Sequence, residues 1–170
     1  MTVLCAVVVG CGEVERPVPA AGPASAAGIP ATPVPEAVTE SIVLDGARVD
    51  VTHPRFDAGR IEDVFDGKRE TLARTENATT AVLDMAFQGA RKASRVEVVT
   101  GTMDVGLEVA LTRAGGPEPL VFRETMTNQT TEPTIALDFG GIVEFERAKV
   151  EITNLNGGDG HLHIYEVKFR

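Results

Sequence analysis

From residue 38 onward, apolar and polar positions alternate in short stretches separated by Gly, Pro and Asp. Residues 81–87 set Ala81, Leu83, Met85 and Phe87 against Val82, Asp84 and Ala86. That period of two belongs to a strand with one buried face. Residues 96–100, 105–112, 120–127, 134–139, 148–153 and 162–169 repeat the pattern. In the last of these, Leu162, Ile164, Glu166 and Lys168 oppose His163, Tyr165, Val167 and Phe169. The breakers between them, RAGGPEP, NQTTEP, FGG and NLNGGDG, are turn chemistry. No stretch carries a long apolar stripe at helical spacing, although residues 61–65 and 70–74 can each hold one helical turn. Seven or eight strands at this spacing predict an all-β fold, an antiparallel β-sandwich of the jelly-roll type.

The chain opens differently. Residues 3–9 form an apolar run, too short to span a bilayer, which needs about 20 residues. The run fits the end of a secretory signal, although no basic residue precedes it. Val8-Val9-Gly10-Cys11 resembles the lipobox of bacterial lipoproteins, a resemblance that implies cleavage before Cys11 and lipidation of that residue. Residues 12–37 follow, dominated by Pro, Ala and Val, a composition that stays extended and acts as a spacer. The expected plan is a leader over 1–11, a Pro/Ala-rich linker over 12–37 and a folded domain over 38–170. It predicts an extracytoplasmic protein, lipid-anchored to the envelope or secreted, touching membrane only through the anchor.

Cysteine use agrees with that plan. Cys5 and Cys11 are the only cysteines, and both lie in the leader. The predicted domain therefore has no disulfide, no thiolate metal site and no catalytic cysteine. Charge removes one class of partner. With 25 acidic against 16 basic residues the net charge is -9, and nucleic-acid binding needs clustered Lys and Arg.

Two strings carry a more specific likeness. IEDVFDGKRETLARTENATTAVLDMAF, at residues 61–87, resembles the opening of discoidin-like (galactose-binding-like, coagulation-factor C-type) domains, with their Asp-Gly loop before a strand. FERAKVEITNLNGGDGHLHIYEVKF, at residues 145–169, resembles their closing hairpin, turning at Gly-Gly-Asp-Gly. The resemblance spans about residues 38–170. It implies a jelly-roll binding module whose Asp-Gly loop holds a structural calcium. Carboxylates would come from Asp66 and Glu166, and backbone oxygens from about Asp63, Lys68, Thr75 and Tyr165. Calcium takes roughly six to eight oxygen ligands, carbonyls among them. The alternative is an ordinary turn in which Asp66 hydrogen-bonds its own backbone.

The likeness departs in its aromatics. Tryptophan is absent, Lys68 stands where Asp or Asn is usual, and the seven phenylalanines mostly fall at positions that read as core. A glycan would then rely on hydrogen bonds from Arg74, Glu76 and Asn77. Other chemistry is thin. His161 and His163 share one strand face, but a third metal ligand is missing. His53 reads as a structural residue in an extended stretch. Asp63 with Asp66, and Asp104 with Glu108, are carboxylate pairs without a recognisable sugar-binding cleft. The expected function is a non-catalytic extracytoplasmic binding module for a glycan or envelope component. The alternative is a structural or protein-interaction domain, and neither reading is an enzyme.

Overall fold

The computed structural model describes residues 36–116, 118–129, 131–157 and 160–170. The leader, Cys11 and the linker up to residue 35 lie outside the described residues. Strands occupy β1 (Ala37–Leu44), β2 (Ala47–Pro54), β3 (Phe56–Ala58), β4 (Ala73–Thr75) and β5 (Thr80–Thr100), followed by β6 (Val105–Thr112), β7 (Leu120–Met126), β8 (Thr134–Asn154) and β9 (His163–Phe169). One 3-10 turn, Ile61–Val64, precedes β4. Residues 70–74 make no helical turn; their end enters β4.

Alternation is what builds these strands. On β6, Val105, Leu107, Val109 and Leu111 are buried while the residues between them are half-buried. On β5, Ala81, Leu83, Met85 and Phe87 face the same core. Ala148, Val150 and Ile152 of β8 meet them, and β2 adds Val49 and Val51. His53 takes the next inward position on β2. It is 3% exposed and stacks on Phe56 with ring centroids 4.8 Å apart.

Two 21-residue strands, β5 and β8, organise the domain. They pair antiparallel from Thr80↔Thr153 to Val99↔Thr134, with register shifts between Ala86 and Arg91 and between Ala93 and Arg95. One half of the pair is flanked by β2 and by β6, with β1 and β7 outside them. The other half is flanked by β9, then β4, then β3. The described residues thereby form an open antiparallel β-sandwich of the jelly-roll type, its layers joined through β5 and β8.

Three expectations change. Residues 81–87 and 96–100 belong to one strand, as do 134–139 and 148–153. The FGG segment lies inside β8, where Gly140 and Gly141 have φ of 73° and 154° and let the strand bend. The segment after β8 is no hairpin turn, because β9 pairs with β4 and β5 and not with β8. Simple alternation also fails on β9. Thr100 pairs with Ile164 and Val99 with Glu166, so Tyr165 is the extra residue of a bulge. Ile164 and Val167 are the buried pair, and Glu166 is released from the inward phase.

The inner face assigned to β8 has a direct check. Ile152 is fully buried, so Ile152→Ala should cost about 2–5 kcal/mol in denaturant unfolding. Val43, 76% exposed, should tolerate Ser within about 0.5 kcal/mol. Equal effects at the two positions would contradict the assignment.

Candidate functional site

The outer face over β3, β4 and β9 gathers four polar side chains. Arg74 pairs across strands with His163 on one side and Ala58 on the other. This register brings Asp57 against the guanidinium. Arg74 Nε donates to Asp57 Oδ1 at 2.7 Å, and a terminal nitrogen donates to Oδ2 at 2.9 Å. A two-pronged pair of this kind is geometrically fixed and charge-assisted. His161 Nδ1 donates to the Thr75 carbonyl at 2.8 Å and lies 4.0 Å from Asp57 Oδ2. With Nδ1 so engaged, the neutral ring leaves Nε2 as an acceptor.

Local sequence fixes this placement. Leu162 and Ile164 are buried, so His161 and His163 share the opposite face. Thr75 is buried too. Its hydroxyl donates to the Ala78 carbonyl and accepts from the Leu162 amide, tying the end of β4 to the approach to β9. After β3 the chain passes so close to β4 that a Cβ on Gly59 would lie 1.8 Å from the Leu72 carbonyl oxygen. With φ at 75° besides, only glycine fits there.

Of the predicted sugar contacts, Arg74 alone joins the cluster. Glu76 points to Arg55, its carboxylate 4.0 Å from Nε, and Arg55 also holds Glu36 at 3.1 Å. Asn77 is exposed in a left-handed turn, φ 50°, against Gly160. Asp57 carried no sequence signal. The histidine pair was visible as a shared face, but its neighbour Arg74 depends on long-range strand pairing.

The predicted calcium ligands divide. Asp66 Oδ1 accepts from the Lys68 amide at 2.8 Å, and Thr71 Oγ1 lies 3.0 Å from both carboxylate oxygens. This is the local turn bond of the alternative reading. Glu166 is nevertheless beside the same loop: a Cβ on Gly67 would lie 3.9 Å from its Oε1. Lys168 Nζ is 3.8 Å from that oxygen. Asp63 Oδ2 accepts from the Arg60 amide at 2.8 Å, at the start of the 3-10 turn. Thr75 sits level with Leu162, its amide donating to the Leu162 carbonyl, at the far end of β9 from Glu166. Tyr165 faces Glu132; burial and then that carboxylate push its hydroxyl above the usual phenol range. Among the described residues, no group of three or more His, Cys, Asp or Glu side chains is placed to hold a metal ion.

The other carboxylates serve the scaffold. Asp104 accepts from the Gln129 amide and Glu108 from Arg123 across β6 and β7. The phenylalanines are less uniformly core than the sequence suggests. Phe145 is buried, but Phe65 and Phe169 are half-buried and line a cavity.

The polar cluster has an electrostatic signature. Hydrogen bonding to Arg74 holds the Asp57 carboxyl below its ordinary range, and the same bonds raise Arg74. Burial, then the charges of Arg74 and His161, lower His163 below the usual 6.5, with Asp57 opposing. For a lowered folded-state value, the unfolded chain takes up the proton first as pH falls. The stability tied to neutral His163 is therefore complete above about 6.5 and is lost as pH drops through the folded value. Melting temperature should fall as pH drops below about 6.5, and less steeply in His163→Gln. Parallel profiles for the two proteins would remove His163 as the source.

No protein-family model matches the sequence, and no curated protein matches it either. Solved structures do resemble it. A Ruminococcus gnavus GH29 fucosidase in complex with fucose superimposes with TM-score 0.58 at 9% identity, over 71% of this chain and 25% of the fucosidase. The chain thus spans about a quarter of that enzyme. A CBM32 module produced by Clostridium perfringens gives TM-score 0.54 at 11% identity, over 72% of this chain and 92% of the module. The family 32 CBM from C. perfringens NanJ, in complex with galactose, gives 0.53 at 19% identity, over 70% and 90%. At these identities the likeness shows the fold alone, the jelly roll on which those modules are built.

Proposed function

We propose that the domain is a non-catalytic carbohydrate-binding module whose sugar-binding face is the Asp57, Arg74, His161 and His163 cluster. The observation that carries this reading is the two-pronged Asp57–Arg74 pair flanked by two imidazoles on one open face. Sugar hydroxyls both donate and accept. A carboxylate, a guanidinium with N–H groups to spare and an imidazole acceptor match both roles from a fixed frame. Because these groups already hold one another, little side-chain freedom is lost when a ligand arrives.

The structural neighbours support the class of ligand, since the family 32 CBM from C. perfringens NanJ, matched over 90% of its length, is in complex with galactose. Hydrolysis needs two carboxylates flanking the scissile bond, typically about 5 to 10 Å apart. Asp57 is the cluster's one carboxylate and is already bound to Arg74, so the cluster suits recognition.

Binding is checked with an immobilised monosaccharide array followed by calorimetry on the sugars retained. Arg74→Ala should weaken binding about tenfold or more, since a charged hydrogen bond contributes about 1.5–3 kcal/mol. His161→Ala should weaken it less. Unaltered affinity in both variants would move the site elsewhere. An array silent for the wild type would favour the protein-interaction alternative.

A structural calcium between Asp66 and Glu166 forms the second part of the reading. It is favoured by the approach of Glu166, whose side chain is 15% exposed, to the Asp66–Gly67 loop. Glu166 reaches, from a distant part of the chain, the loop that carries Asp66, and carbonyl oxygens would complete the set. Bound calcium would supply the positive charge now provided to Glu166 by Lys168. A site specific to the folded state should raise stability by about 2.7 kcal/mol at a hundredfold excess over its dissociation constant. Melting unchanged by calcium or chelator, in the wild type and in Asp66→Ala alike, would eliminate the ion.

A further inference from the structure

A cavity of about 500 Å³ opens beside the Asp66–Gly67 loop, at the other end of β9 from the polar cluster. His163 and Phe169 bound β9 and stand roughly 20 Å apart at about 3.3 Å per residue, while Glu166, the cavity residue of β9 nearest the cluster, is roughly 10 Å from His163. Its walls come from several strands. Half-buried Phe65 and Phe169 present the apolar surface, with the buried rings of Phe87 and Phe145 packed against Phe169. Phe145 and Phe169 have ring centroids 5.4 Å apart, and Phe87 meets Phe145 edge-on at 5.6 Å.

The cavity exists because β5 and β8 shift register where they pass between the layers. The shift between Ala86 and Arg91 opens the strand pair and sets Phe87 and Phe145 on its inner wall. The bulge at Tyr165 sets the phase of the last residues of β9, and Phe169 closes the side.

Three cations stand on the rim, and they are held unequally. Arg91 is committed: it pairs with Asp45 at 2.7 Å and lies over the Phe87 ring at 5.8 Å. Lys92 meets Glu144 at 3.3 Å with its side chain 67% exposed, and Lys168 meets Glu166 at 3.8 Å while 43% exposed. Exposed lysine–carboxylate pairs contribute only about 0–1 kcal/mol. An incoming carboxylate can take Lys92 from Glu144 at little cost and approach Lys168 while that lysine keeps the 15%-exposed Glu166, with an aromatic wall beneath it for an apolar ring face.

We propose that this cavity is a second binding site, separate from the Arg74 cluster, for a small ring-shaped ligand carrying a carboxylate. The ring lies on Phe169 and Phe65, and the carboxylate meets Lys92 and Lys168. The chemistry is shared by uronic acid residues and aromatic carboxylates. A volume of about 500 Å³ falls within the usual range for small-molecule sites, roughly 300–1,000 Å³.

The test is a two-dimensional amide NMR titration of the full chain in chelator, with galacturonate, galactose and benzoate as probes. Chelator keeps the outcome independent of any calcium at Asp66. Galacturonate, benzoate or both should shift the amides of Gly67, Lys92 and Phe169, and galactose should leave them in place. Response to galacturonate alone identifies a sugar acid, and response to benzoate alone an aromatic one. The double substitution Lys92→Ala with Lys168→Ala, at exposed positions, should weaken the responding probe about tenfold or more. Arg74→Ala should leave this response unchanged, which separates it from failure at the sugar cluster. Absence of shifts with both carboxylates, equal shifts with galactose, or full affinity in the lysine double variant would overturn the proposal.

Discussion

The pairing of β5 with β8 is the constraint on which the rest of the structure depends. Each strand contributes 21 residues, and each serves both layers of the sandwich. A continuous pair must bend to do this. Here the bends are the register shift after Ala86, where the extra residues are on β5, and the shift after Ala93, opposite the Gly140–Gly141 segment of β8. The inward residues keep their phase within each half: Leu83, Met85 and Val150 in one, Val96, Val98 and Leu137 in the other. Burying two such faces against each other is the main stabilising term for a domain of this size. Cys5 and Cys11 stand outside the described residues, and the described domain contains no cysteine.

The same constraint locates the chemistry. Beside the second half of the pair, β9 lies next to β5 and carries β4 and β3 outward. One bulge on β9 then separates two environments. Before Tyr165, His161 and His163 face outward beside Arg74. After it, Glu166 turns toward the Asp66–Gly67 loop and Phe169 toward the cavity. A strand with unbroken alternation would place Glu166 in the inward phase of Ile164, a carboxylate in the core. The bulge avoids that cost and gives one strand two chemically different ends.

The fold was largely readable from period-two alternation, since β6, the first half of β5 and residues 148–153 of β8 alternate without interruption. Strand continuity was not. Gln88-Gly89-Ala90 and Phe139-Gly140-Gly141 have the composition of turns, yet tertiary pairing carries β5 and β8 through them. The site was readable only in part. Arg74 and the His161/His163 face show in the sequence, but Asp57 comes from a separate strand. Its part follows from the Ala58↔Arg74 register, which local pattern does not encode. The cavity was hidden for the opposite reason. A phenylalanine has the same signature on a core face and on a cavity wall, and only the register shift in β5 and β8 distinguishes the two.

Net charge and local charge act at different ranges, and this decides how an acidic protein presents basic side chains. The whole chain carries -9, which disfavours the approach of anions from afar. At physiological ionic strength that field is screened beyond about 8 Å, so contacts inside the cavity are governed by the nearest groups. Arg91 and Asp45 neutralise each other in a short pair and act mainly to hold the β1–β2 turn against β5. Lys92 and Lys168 are left on other partners at the rim of a cavity whose phenyl rings exclude water from one side. Excluding water lowers the local dielectric and strengthens any contact a ligand makes there, while leaving the exposed lysine pairs weak in the free protein. The difference between those two conditions, and not the number of basic residues, is the driving force available for binding at that rim.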